Sequence, residues 1–221
     1  MKRFCIFHIA LLLISGISLQ AQKTEFTPEW SFGVNGGITM SKIGFNSQIR
    51  VPQDYLMQYS GGLTVRYISE NHVGIQGEIN YSLRGWAEKI DTLHFNKYSR
   101  SVAYIEIPLL THIYFDMGKR ARVIFNLGPQ VGFQIGEEEL ERKIVDESAE
   151  TGYYAVPVQR KFDYGLKGGA GLEFRTGVGS FILDGNYYFG LSDIFNNSRS
   201  DYFQASANRV IGLRMTYLFR L

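Results

Sequence analysis

The sequence predicts an all-β protein: an eight-stranded antiparallel up-and-down transmembrane β-barrel with four long outer loops and three short periplasmic turns. Three observations carry that expectation. Side chains alternate between apolar and polar over many stretches, the connections between those stretches alternate short and long, and the first residues have the features of an export signal.

The amino-terminal segment reads as a signal peptide over residues 1–21, with the barrel domain over 22–221. Lys2 and Arg3 form a basic start, Phe4 to Ile17 is apolar apart from His8, Ser15 and Gly16, and Leu19-Gln20-Ala21 offers a small residue for cleavage. That run is too short for a comfortable membrane helix, which needs about 20 residues. Cys5 lies at the start of the apolar run and not at its end, whereas a lipid anchor requires a cysteine just after cleavage, so lipidation is not expected.

Cleavage alters the charge balance. The chain has 23 basic and 21 acidic side chains, and losing Lys2 and Arg3 leaves 21 of each. A formally neutral mature chain gives no basis for a nucleic-acid partner. It also has no cysteine, so its fold must hold without disulfides in an oxidising compartment. No later stretch reaches 18 consecutive apolar residues, which removes helical spans from the expectation.

The strands follow from period-two alternation, because successive side chains on a strand point to opposite faces. From Trp30 to Ser41, one face holds Trp30, Phe32, Val34, Gly36, Ile38 and Met40, and the other Ser31, Gly33, Asn35, Gly37, Thr39 and Ser41. Tyr59–Tyr67 repeats the pattern, and Val73–Arg84 sets Val73, Ile75, Ile79, Tyr81 and Leu83 against Gln76, Glu78, Asn80, Ser82 and Arg84. Further strands are expected near Tyr98–Phe115, Arg122–Ile135, Phe162–Thr176, Phe181–Ser192 and Asn208–Leu221. Short turns near 69–72, 116–120 and 177–179 alternate with long links near 42–58, 87–97, 136–161 and 193–207. This is the connection pattern of an outer-membrane barrel.

Side-chain size then assigns the faces. Trp30, Phe32, Tyr67, Tyr81, Phe125, Phe133, Phe174, Phe181, Tyr187, Phe189, Tyr217 and Phe219 share the apolar face, while glycines, serines and charges share the other. An eight-stranded barrel is just wide enough for its own side chains, so the bulky set belongs outside, against lipid. Aromatics near strand ends (Trp30, Tyr59, Tyr67, Phe174, Phe181) suit interfacial girdles. The last strand, Ile211 to Leu221, is apolar and aromatic, resembling the terminal signal read by the barrel-assembly machinery. Within Tyr104–Leu110, Pro108 lacks the N–H of a regular ladder, and a bulge or an irregular strand end is expected there. Glu106 is expected to point inward.

Four segments carry a family resemblance: Tyr104-Ile-Glu-Ile-Pro-Leu-Leu110, Leu127-Gly-Pro-Gln-Val-Gly132, Phe162-Asp-Tyr-Gly-Leu-Lys-Gly-Gly-Ala-Gly-Leu-Glu-Phe174 and Tyr187-Tyr-Phe-Gly-Leu-Ser-Asp-Ile194. In strand order, the chain resembles the PorT-type outer-membrane β-barrel family of Bacteroidetes, a group of porin-like small barrels. The resemblance implies the barrel and the membrane. It is weak on function, since the namesake serves a protein-secretion system and fold alone does not specify activity.

Gly165-Leu-Lys-Gly-Gly-Ala-Gly171 continues an alternating strand, so its glycines relieve interior crowding and form no phosphate cradle. Arg66, Glu78, Arg84, Glu106, Lys167, Glu173, Arg175, Asp184 and Arg214 are expected inside, paired with one another as a plug of salt bridges. His8 leaves with the leader, His72 falls in a turn and His94 in a loop; His112 reads as a rim histidine, with Thr111 beside it and Asp116 beyond. No ligand spacing for a metal is present, and no catalytic, cofactor-binding or metal site is assigned. The link 137–161 holds seven acids and four bases with Tyr153, Tyr154, Val156, Pro157 and Val158, either as a solvated loop or as a partner-contact site.

The resulting expectation is a non-enzymatic barrel of the Gram-negative outer membrane. It contacts lipid and binds a protein or surface ligand through its outer loops, with a secretion complex as one setting. The alternatives are a lipid-modifying enzyme using His112 and a small-solute pore.

Overall fold

The computed structural model describes residues 26–46, 53–88, 97–143, 157–196 and 205–221. The expected leader and His94 lie outside the described residues. The elements are β1 (Glu29–Asn46), β2 (Gln53–Asp54), β3 (Leu56–Glu70), β4 (Val73–Glu88), β5 (Lys97–Met117), β6 (Ala121–Lys143), β7 (Phe162–Thr176), β8 (Gly179–Asp193) and β9 (Ala205–Arg220). Every pairing is antiparallel.

The strands run in the order β4-β3-β1-β9-β8-β7-β6-β5, and β4 also pairs with β5, which closes the ring. The two-residue β2 sits on β4 in line with β3, through Gln53↔Glu88 and Asp54↔Ala87. The ring therefore has the eight strands that the alternation predicts, with β2 as an addition. Short turns fall at Asn71-His72, Gly118–Arg120 and Gly177-Val178. Gly118 takes φ +77°, a left-handed conformation open to glycine without a Cβ clash.

Exposure identifies the solvent. Val34 (54%), Leu63 (61%), Ile79 (57%) and Leu127 (65%) stand exposed in the middle of their strands, while Arg66, Glu78, Arg84 and Glu173 beside them are buried. This inverts the pattern of a water-soluble protein, where contiguous apolar patches of this extent do not face water. Near the turn end, outward aromatics pack as a girdle: Trp30 against Tyr67 at 4.5 Å and Phe181 against Tyr217 at 4.7 Å between ring centroids. Phe133 and Phe162 pack at 5.0 Å nearer the loop end. On the inside, small residues let neighbouring strands approach; a Cβ at Gly165 would lie 2.2 Å from the Phe189 carbonyl oxygen.

The structure corrects the expectation for Pro108. The β4–β5 register is the same on both sides of it, with Gly77↔Leu109 and Asn80↔Glu106, and Pro108 itself pairs with Gln130. The proline interrupts the bridging to β4 without inserting a residue. The irregularities of β5–β6 lie nearer the loop end, at Ser99/Arg100 and Ala103/Tyr104. There β6 carries the extra residues: Ile135 between the partners of Tyr104 and Ala103, and Leu140 between those of Arg100 and Ser99. Bulges bend and twist a strand, and beyond them β6 runs on to Lys143 where the sequence predicts a loop from 136.

The outward assignment has a measurable consequence. Leu63→Arg, at mid-strand on the lipid face, is expected to destabilise the vesicle-embedded barrel by about 2–4 kcal/mol. Guanidinium unfolding from phospholipid vesicles measures it, and an unchanged midpoint would contradict the lipid-facing placement.

Candidate functional site

The lumen is built from the inward-facing positions of all eight long strands, and it is full. At its centre Glu78 accepts from Gln76 (2.7 Å) and Asn80 (2.8 Å) and pairs with Arg214 (2.5 Å) and Lys167 (3.5 Å). Arg214 reaches on to Asp184 at 3.1 Å. Towards the loop end, Arg84 bridges Glu106 (2.7 Å) and Asp163 (2.8 Å) and lies over the rings of Tyr188 (4.3 Å) and Tyr104 (5.1 Å). Towards the turn end, Arg66 holds Glu173 in a two-bond fork at 2.8 and 3.0 Å. Such bidentate pairs fix orientation as well as energy.

Two apolar clusters lie beyond these ion pairs. Ile68, Tyr114, Ile124, Ile182 and Leu218 fill the lumen at the turn end, with Arg122 over the Tyr114 ring at 4.0 Å. Ile43, Trp86, Tyr98, Val102, Tyr104, Val158, Ile194 and Phe195 fill it at the loop end. A cavity between the two, of about 20 Å³, is lined by Asn35, Asn80, Arg84, Glu106, Lys167 and Arg214 among others. That holds about one water.

Of the charges expected inside, Arg66, Glu78, Arg84, Glu106, Lys167, Glu173, Asp184 and Arg214 are buried there. Arg175 is the exception: it is half-exposed at the turn end and donates to Glu29 at 2.7 Å. Sequence reasoning missed Asp163 and both apolar clusters. The signal was present in the alternation: Ile68 shares parity with Arg66, Ile182 with Asp184, Leu218 with Arg214, and Trp86 with Arg84.

His112 is corrected from a rim position to the lumen. It is fully buried, with Nδ1 2.8 Å from Asn126 Oδ1 and Nε2 3.5 Å from the Arg66 guanidinium. Thr111 points the other way and Asp116 pairs with Arg122 at 2.7 Å. His72, in its turn, brings Nδ1 to 3.0 Å from the Tyr114 carbonyl oxygen. Gly165, Gly169 and Gly171 lie within β7 as expected. Among the described residues no group of three or more His, Cys, Asp or Glu could hold a metal ion.

The loop end carries the remaining feature. β6 leaves β7 at Phe133↔Phe162 but stays paired with β5 as far as Lys97↔Lys143, and β5 stays paired with β4 as far as Ala87↔Ser99, so the end of β6 forms the edge of a β4-β5-β6 sheet that extends past the end of β7. Its exposed residues include Glu137, Glu138, Glu139, Glu141 and Leu140. Arg100 fastens it to the apolar cluster, contacting Glu139 at 2.7 Å and Glu137 at 3.7 Å while lying over Trp86 and Tyr98. The hydrogen bond from Arg100 holds the Glu139 carboxyl below the ordinary carboxylate range. Val158 is tied in from the far side through its N–H to Glu137 at 3.0 Å.

The packing inside the lumen yields a second prediction. Arg66→Met strands Glu173 in a dry environment and is expected to cost about 3–5 kcal/mol. Arg66→Met with Glu173→Leu is expected to recover most of that loss. Chemical denaturation of the folded barrels tests both, and a double variant no better than the single one would contradict the pairing.

The family model for the outer membrane protein beta-barrel domain matches residues 20–196. Among solved structures, Ail, the attachment invasion locus protein of Yersinia pestis, in complex with the heparin analogue sucrose octasulfate, is 16% identical, covering 87% of this chain and 99% of its own at a TM-score of 0.43. Neisserial surface protein A is 9% identical, covering 89% and 100% at a TM-score of 0.48. The outer membrane enzyme PagL is 12% identical, covering 84% and 98% at a TM-score of 0.41. No curated protein matches. The chain belongs to the outer membrane protein beta-barrel domain family, and its location is the outer membrane.

Proposed function

We propose that this chain is a non-enzymatic outer-membrane barrel that binds a protein partner through its outer loops, as a component of a protein-secretion assembly. The resemblance to PorT-type barrels supports the secretion setting. The proposal includes cleavage after Ala21, leaving residues 22–221 as the mature barrel.

The observation that carries the reading is the outer end of β6, an edge strand paired with β5. It rises past the point where β7 leaves the sheet, and Arg100 and Val158 anchor it to the barrel's apolar cap. Rigidly mounted, solvent-facing segments are where barrels place binding residues. The other two readings lose support in the same geometry. Ion pairs across the centre of the lumen and an apolar cluster towards each end speak against a solute path. His112 faces that lumen between Asn126 and Arg66, away from any lipid substrate.

In-cell photo-crosslinking tests the proposal. A photoreactive residue at Glu138 is expected to capture a protein partner. Replacing 144–156 with a short Gly-Ser linker, which spares Val158 and the paired strands β5 and β6, is expected to abolish that capture while the barrel still folds. Capture at position 138 that survives the replacement would overturn it.

A further inference from the structure

Lys42 and Arg209 are direct cross-strand partners on β1 and β9. Both belong to the outward face, each two residues beyond an exposed apolar side chain, Met40 on one strand and Ile211 on the other. Like charges placed directly opposite each other repel. Among the described residues neither has a carboxylate partner; both lie against aromatic rings. Lys42 Nζ lies 4.7 Å from the centroid of Tyr55, and the Arg209 guanidinium carbon 3.5 Å from that of Phe189. Phe189 is the register partner of Arg209, and Tyr55 lies one residue before Leu56, the partner of Ser41. Around the ring the order is therefore aromatic, cation, cation, aromatic.

The height of this row is set by the apolar band. Trp30 to Met40 spans about 33 Å of strand at about 3.3 Å per residue. At a tilt of about 40° that is about 25 Å of height, the thickness of the apolar band of an outer-membrane barrel. The next outward residue, Lys42, falls at the headgroup level of the outer leaflet. Above the pair stand Gly44 and Ala207, themselves register partners, which leave room over the two cations. A Cβ at Gly44 would already lie 3.4 Å from Arg209 Nε.

We propose that Lys42 and Arg209 jointly bind a phosphate group at the outer-leaflet surface, supplied by the headgroup of a phosphorylated lipid whose acyl chains lie over Met40 and Ile211. A phosphate placed between them relieves their repulsion, accepts from the planar guanidinium fork and takes the lysine as a point charge. The aromatic rings on either side hold the two side chains level with the headgroup and restrict them from snorkelling away into water.

Native mass spectrometry of the folded protein in maltoside micelles tests this with phosphatidic acid and diacylglycerol of the same acyl chains as probes. The wild type is expected to retain phosphatidic acid in preference to diacylglycerol. Lys42→Gln with Arg209→Gln is expected to lower that retention about tenfold, with each single variant between. A control that removes equal charge at the turn end, Lys119→Gln with Arg120→Gln, is expected to retain wild-type amounts. All variants are first shown to be folded by their heat-modifiable gel mobility. Millimolar inorganic phosphate distinguishes the sources: failure to displace the lipid assigns the site to a headgroup, and displacement assigns it to phosphate from either source. Equal retention of the two lipids by the wild type, or equal loss in the control variant, would overturn the proposal.

Discussion

Closure of the sheet between β4 and β5 is the constraint on which everything else rests. In hydrocarbon an unpaired N–H or C=O has no water to turn to, so a spanning sheet must have no edge. Closing eight strands into a ring meets that demand and sets the width of the interior at the same time. Each strand must then send alternate side chains into a narrow polar space and out into lipid. The exposed Val34, Leu63 and Ile79 and the buried Arg66, Glu78 and Arg84 are two results of that one requirement.

The narrow interior in turn decides what fills it. Charges cannot be left alone there, because an uncompensated buried ion costs several kcal/mol. Glu78 is accordingly shared between Arg214 and Lys167, and Arg84 between Glu106 and Asp163. The apolar clusters around Tyr114 and Trp86 end this network on either side. With the lumen occupied, the described groups placed to meet other molecules are those on the outward face and on the outer end of β6.

The fold was legible because alternation is a direct record of two-sidedness. β3, β4 and the lower part of β1 show a bulky face and a small or charged face over most of their length, with Ile68 and Trp86 as bulky residues on the inner face, and the structure turns the bulky face outward as expected. The outer end of β6 was not legible for a physical reason. Ile135 and Leu140 are bulged residues, each of which breaks the period of two, so the run from Gly136 to Lys143 looks like a loop although it is paired strand. Pro108 misled in the opposite direction: a residue without an N–H leaves a gap in the bridging to β4, yet the register on either side is held by its neighbours. Side-chain pairs were only partly readable. Parity places Arg66 and Glu173 on the inner face, but their meeting depends on the stagger of strands far apart in sequence. His112 shares parity with Glu106 and so lies on the inner face, with the strand continuing past it to Met117.

The account turns on a barrel closed by its own side chains, and ionic conductance examines that directly. The protein, reconstituted into planar bilayers with its insertion verified by protease protection, is expected to show no unitary current across the accessible voltage range. Stable, reproducible current steps from the wild-type barrel would contradict a lumen filled by the Glu78 and Arg84 networks and capped at both ends.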